Sequence, residues 1–369
     1  MKVICFYLPQ YHPIPENDDW WGKGFTDWVN VAQATPRFRG HHQPHIPADL
    51  GFYDLRLEEA RIAQARMAAD YGIGGFCYYH YWFNGKMLLE RPFNEVLQSG
   101  KPDFPLCLCW ANENWTRTWD GQEHQILMKQ TYDEYDCVRH IEWLEKAFSD
   151  KRYIRINGKP LFLIYCPSDI PDLGSKISTW RDWLAKRGYP GLYLCSIKRV
   201  RNRLTDSEAL RLGCDAIVEF QPNAQTFPQA NFLKNEVHRN VRKVLDRLHL
   251  QPLYSRVKVS NVVSYRALVE RNISKPGSND RFFPCVIPGW DNSARRNAAF
   301  IIQNDDPELY KKWLKHSLDR VKDYPRDEQI VFINAWNEWA EGCHLEPDLR
   351  NGRKFLQATK EALDESLRK

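Results

Sequence analysis

Short apolar runs alternate with longer amphipathic segments along most of the chain. The runs are VICFYL (3–8), GGFCYYHYWF (74–83), PLCLCWA (105–111), PLFLIYC (160–166), GLYLCSI (191–197), AIVEF (216–220), FFPCVIP (282–288) and QIVFINAW (329–336). Near-continuous apolar strands are buried on both faces, which is the habit of parallel sheets. Between them, 56–72, 132–150, 175–188 and 306–323 carry helical spacing, and Gly72 and Gly188 fall where helix C-caps belong. Eight strands with interleaved helices predict an α/β fold, a (β/α)8 TIM barrel, as a single domain over residues 1–369 with a long loop after the first strand. A doubly wound open sheet is the competing architecture, but the first strand lacks a GxGxxG turn.

Two stretches break the spacing. Residues 9–52 are too long for an ordinary strand-to-helix loop and are expected to form a lid or pocket wall. Segment 234–258 holds Lys234, Arg239, Arg242, Lys243, Arg247, Arg256 and Lys258. It reads as a solvated basic helix or as a peripheral docking face for a membrane or a lipid-linked substrate.

In such a barrel, chemistry sits where strands emerge at their C-terminal ends. The eighth exit, NAWNEWAEG, is the richest in acids. Glu338 and Glu341 are three residues apart, so in a turn they share a face at roughly 5–6 Å between Cβ atoms. Close carboxyls perturb one another, one staying protonated and the other ionised, which is what cleaving a glycosidic bond requires. Most Glu-x-x-Glu pairs lie on solvated helices; the buried strand and the flanking Trp336 and Trp339 argue for a site. Further candidates to contact substrate are Trp21 in the first loop, Tyr78 and Tyr81 on the second run, Asn112 and Glu113 after the third, Gln221 after the sixth, Trp290 and Asp291 after the seventh, and Trp336, Asn337 and Glu346 at the eighth. Glu113 reads equally as a residue that orients Asn112 or Asn114, Glu346 equally as a cap or surface residue, and His80 as a satisfied core histidine.

Composition narrows the ligand. Aromatic residues make up 13%, with 14 Trp and 17 Tyr, many beside Asn, Gln, Asp and Glu in loops. That mixture suits flat sugar faces edged by hydroxyls, so an oligosaccharide or polysaccharide is the expected partner. A formal charge of +5 does not call for nucleic acid. No export signal is legible and no apolar stretch approaches the roughly 18 residues of a membrane span. Seven of the ten cysteines lie inside apolar runs, as free thiols do in a reducing cytoplasm. In GHHQPH (40–45), adjacent histidines on extended chain point apart and no paired ligand spacing follows, so no metal site is expected.

The strings FYLPQYHPIPEND, WWGKGFTDW, GGFCYYHYWFNGK, CWANENWTRTWDG, PGWDN and INAWNEWAEGCHLEPD together resemble WbsX-type polysaccharide biosynthesis proteins, which are related to glycoside hydrolase family 99. The resemblance implies a (β/α)8 barrel without metal or organic cofactor. Its hydrolase branch comprises retaining endo-α-mannosidases, whereas WbsX-type members are associated with bacterial surface polysaccharide assembly and often named glycosyltransferases. The hydrolases' EWHEG motif matches Glu338 to Gly342, with Ala340 where they have His. By that match Glu338 takes the proton of the sugar's own 2-hydroxyl, which attacks the anomeric carbon, and Glu341 is general acid and then base. PGWDN resembles the hydrolases' PGYxD, with Trp290 in place of Tyr. Three functions remain open at this level: endo-acting hydrolase, glycosyltransferase or transglycosylase of surface polysaccharide assembly, and non-catalytic sugar-binding barrel.

Overall fold

A computed structural model describes residues 1–117, 122–199, 202–223, 259–275 and 281–367. Each apolar run becomes a parallel strand: β1 Lys2–Tyr7, β2 Phe76–Phe83, β3 Leu106–Trp110, β4 Lys159–Ile164, β5 Tyr193–Ile197, β6 Ala216–Glu219, β7 Phe282–Val286 and β8 Ile330–Ile333. Neighbours in sequence are neighbours in the sheet, and β1 pairs with both β2 and β8, which closes the barrel. Cys5 marks the closure, opposite Phe76 on one side and Ile333 on the other. With partners on both edges and packing on both faces, Val3 to Leu8 are essentially inaccessible to water, as a two-face apolar run predicts.

Helices α1 Pro15–Trp21 and α2 Asp27–Gln33 lie in the long first loop. They are followed by α3 Glu58–Asp70, α4 Arg91–Ser99, α5 Glu134–Phe148, α6 Leu173–Ala185, α7 Asp206–Arg211, α8 Tyr265–Ile273, α9 Pro307–Val321 and α10 Lys354–Leu367. In α5, Asp133 caps the N-terminus by accepting from the Asp136 N–H at 2.5 Å, and Cys137, His140, Ile141, Leu144 and Phe148 form the buried stripe. Gly72 and Gly188 take left-handed φ values of +81° and +82° just past α3 and α6, as C-cap positions require.

Among the elements with no counterpart in the hydrophobic pattern is a three-stranded sheet of Val259–Ser264, Ala298–Gln303 and Trp290–Asp291 beside the barrel mouth. The basic segment 234–258 lies outside the described residues. No described helix is long and apolar enough to cross a membrane.

Candidate active site

Alternation along β2 sorts its aromatic residues. Tyr78 packs on Tyr7 and Phe93, and Trp82 donates its indole N–H to Asp136 of α5 at 3.0 Å, so both belong to the helix-facing side. Tyr79 and Tyr81 face the barrel mouth and line a pocket of about 230 Å³. The expectation that Tyr78 and Tyr81 both contact substrate therefore fails on parity: residues three apart on a strand point to opposite faces. Tyr79 is the pocket residue that parity with Tyr81 would have supplied. His80 bonds His140 at 3.0 Å and stacks on Trp143, and it is a satisfied interior histidine.

The pocket wall continues through Trp21 of α1, Trp115, Tyr165 and Trp290, with Glu113 and Asn334 at its polar edge. The 9–52 segment thus walls the pocket. Glu113 is ion-paired with Arg199 at 2.9 Å, and that guanidinium lies over the Tyr165 ring at 4.0 Å.

Chain geometry at the exit of β8 places the acids. Glu338 ends a two-residue strand, a 3-10 turn carries Trp339 to Glu341, and Gly342 ends it in the left-handed region at φ +56°. Both glutamates line the pocket, and both reach the same Arg295 Nη1, Glu338 at 3.3 Å and Glu341 at 3.0 Å. Arg295 arrives from the turn after Trp290–Asp291. Its other guanidinium nitrogens hold Asp27 of α2 at 2.9 and 3.1 Å, and Asp27 is fully buried.

One guanidinium thus faces three carboxyls, and an excess of negative charge in a buried place is costly. Glu338 absorbs that cost. Burial pushes its pKa up, Arg295 pulls it down, Glu341 and Asp27 push it up again, and it comes to about 8. Arg295 was not singled out in the sequence. Its pairings join three separate segments, Asp27 lying 268 residues before it and the two glutamates about 45 after, and no local string signals them.

Most of the other candidates, at the eighth exit and at the other strand exits, form the frame around the acids. Asn337 pins the Glu338–Glu341 turn to the exit of β1: its Oδ1 accepts the Leu8 N–H at 2.8 Å and its Nδ2 donates to the Leu8 carbonyl at 3.0 Å. Trp336 is wholly buried against Phe76. Glu346 is buried too, accepting from Gln64, Trp339 and Tyr53 at 2.7, 2.7 and 2.8 Å, so it neither caps a helix nor meets solvent. Asn112 clasps the backbone of Cys166, tying β3's exit to β4's. The Gln221 side chain meets Asn272 and the Asn223 backbone. Asp291 is held from behind by His41 at 2.7 Å and Gln43 at 2.6 Å, outside the pocket its neighbour Trp290 lines.

Gly342 has a packing reason beyond its φ. A Cβ there would fall 2.9 Å from both Cβ and N of Asp291. Gly342→Ala is expected to push the Trp290–Arg295 segment off the Glu338–Glu341 turn and to cost about 1–3 kcal/mol in a urea melt.

The glycosyltransferase WbsX family model matches residues 3–359. The chain belongs to that family. Two strains of Xanthomonas campestris pv. campestris carry a relative described as uncharacterized protein WxcX, 40% identical over 363 residues, or 98% of this chain. The WbsX-family chain spans about half, 49%, of the length of those relatives. Among solved structures, the GH99 endo-alpha-mannosidase from Bacteroides thetaiotaomicron superposes with a TM-score of 0.56 at 15% identity, covering 99% of this chain and 97% of that one. A second, described as a glycoside hydrolase-like protein, gives the same score and identity over 98% and 93%. These similarities show a shared barrel fold. Family membership places the chain among carbohydrate-active enzymes.

Proposed function

We propose that residues 1–369 act as one glycoside hydrolase-like catalytic domain that breaks or exchanges a glycosidic linkage with retention, with Glu338 as base and Glu341 as acid. The observation that carries this reading is the convergence of Glu338 and Glu341 on Arg295 inside an aromatic pocket. Sharing one Nη1 bounds the separation of the two oxygens to the sum of 3.3 and 3.0 Å. Two acids held on one nitrogen favour the close spacing of a retaining pair over the roughly 6.5–9.5 Å between carboxyl groups that an inverting pair needs to admit water. Tyr and Trp rings around the acids offer stacking faces for a pyranose.

The steps follow from the chain's own groups. Ionised Glu338 accepts the proton of the sugar's 2-hydroxyl, whose oxygen attacks the anomeric carbon as Glu341 protonates the departing oxygen. Glu341, now ionised, then takes a proton from water or from an acceptor hydroxyl that opens the intermediate, and Glu338 returns the proton to the 2-oxygen. Arg295 bridges the two acids through both stages.

Bacterial surface polysaccharide is the proposed substrate class, and α-mannosides are the first to try, because a structural neighbour is an endo-alpha-mannosidase. Transfer rather than hydrolysis is the second reading, favoured by the family's description as a glycosyltransferase. On either reading the donor can be lipid-linked, docking through the basic segment 234–258 in peripheral contact with a membrane. The ten free, buried cysteines support a cytoplasmic site of action. Incubation with α-mannosides, nucleotide sugars and lipid-linked glycans, followed by mass spectrometry, tests both: release into water supports the first and appearance on an acceptor the second.

The role of Glu338 fixes the sign of a pH effect. A base works ionised, and kcat/KM reports the free enzyme. With Glu338 at about 8, kcat/KM is expected to rise with pH through that region. A fall through the same region would make Glu338 the acid.

A further inference from the structure

A second pocket lies behind the Trp290–Asp291 wall, and three side chains from separate segments converge in it: His45 from the first loop, His344 two residues past the catalytic turn, and Asp348. We propose that His45 Nδ1, His344 Nε2 and an Asp348 carboxylate oxygen bind a divalent transition metal, zinc being the best match, with water from the pocket completing the coordination.

The donor set is two imidazoles and a carboxylate, and zinc takes such a set with one position left open. His45 Nδ1 lies 2.9 Å from His344 Nε2, which lies 3.8 Å from Asp348 Oδ2, and one donor atom from each residue falls within 4.8 Å of the others. Zinc ligands at about 2.0–2.2 Å stand roughly 3.3 Å from one another in a tetrahedron, so closing on the ion takes shifts of under about 1 Å per donor.

The surroundings orient the ligands as metal sites do. His344 Nδ1 is 2.9 Å from the Glu346 carbonyl oxygen, to which it must donate, and this fixes the lone pair of Nε2 toward His45 and Asp348. Trp339 stacks on the His344 ring with centroids 3.8 Å apart, which locks its plane. Asp348 Oδ1 accepts the Asn351 N–H at 2.5 Å and leaves Oδ2 on the side of His344. His45 needs only to move its one ring proton from Nδ1 to Nε2. The pocket holds about 50 Å³, room for an ion and a water or two.

Sequence spacing hid this site. His41 and His42 do point apart, His41 to Asp291 and His42 toward His45. The expectation of no metal looked for partners near GHHQPH, whereas the partners of His45 lie about 300 residues away. A metal here would clip the first loop and the Asp348 turn to the strand that leaves Glu341, holding the back of the catalytic turn.

The test uses the full chain without a polyhistidine tag, stripped with chelator, re-equilibrated with zinc and measured by plasma mass spectrometry, with cobalt substitution as a spectroscopic check. One equivalent of zinc, visible d–d bands with cobalt, and a melting temperature that falls on chelation are expected. His45→Ala and Asp348→Asn should each lose the bound metal and the chelator effect, with circular dichroism confirming their fold. His344→Ala should do the same, and if it does not fold, His45→Ala in the loop carries the test. Less than a tenth of an equivalent in the wild-type chain, or stoichiometric metal retained by His45→Ala, overturns the proposal.

Discussion

Glu341→Gln lowers kcat on an unactivated glycoside by about 10²–10⁴-fold while glycan affinity stays at the wild-type level. Glutamine keeps the size and a carbonyl oxygen for the Arg295 contact at 3.0 Å, so the pocket keeps its shape. What is lost is the proton for the departing oxygen. The loss should shrink with the leaving group's own acidity: an aryl glycoside whose phenolate leaves unaided recovers most of the first step. A purely structural role for Glu341 predicts the same loss for every leaving group, so the comparison separates the two.

Arg295→Met carries the second large effect. The variant leaves Asp27, Glu338 and Glu341 without the cation they share. Removing one partner from a buried ionic cluster costs about 3–5 kcal/mol, because the charges left behind have no counterpart. Urea unfolding should show that loss. Asp27→Asn in the same chain should restore part of it, since it removes the most deeply buried of the stranded carboxylates, and the coupling between the two substitutions measures the pair. A loss under about 1 kcal/mol would mean that Arg295 is exchanged for water at little cost. In activity, Glu338 without Arg295 binds its proton more tightly, so the rising limb of the pH profile moves to higher pH.

What the sequence disclosed and what it hid divide along a physical line. The eight strands were legible because a parallel barrel strand is buried on both faces, and its signal is a local run of apolar residues. Glu338 and Glu341 were legible because one short string carries both. Arg295 was not, because its significance arises only when α2, the turn after Trp290 and the exit of β8 meet. Tyr78 and Tyr81 cannot both reach the pocket, because the two-residue alternation puts Tyr79 and Tyr81 on one face and Tyr78 on the other. Trp336, Asn337 and Glu346 were chosen for closeness in sequence to the acids, and the turn that presents Glu338 to the pocket directs its neighbours into the packing beneath. His45 and His344 illustrate the same limit, since ligands gathered from distant segments leave no spacing to read.

The central claim is that Glu338 and Glu341 do chemistry on a glycosidic bond within this pocket. Its most direct measurement compares the wild-type chain with Glu338→Gln and Glu341→Gln on a panel of α-mannosides and surface glycans, reading conversion by mass spectrometry and affinity by calorimetry on the same preparations. The account predicts conversion by the wild type alone, with binding retained by both variants. Conversion by either variant at the wild-type rate would contradict it.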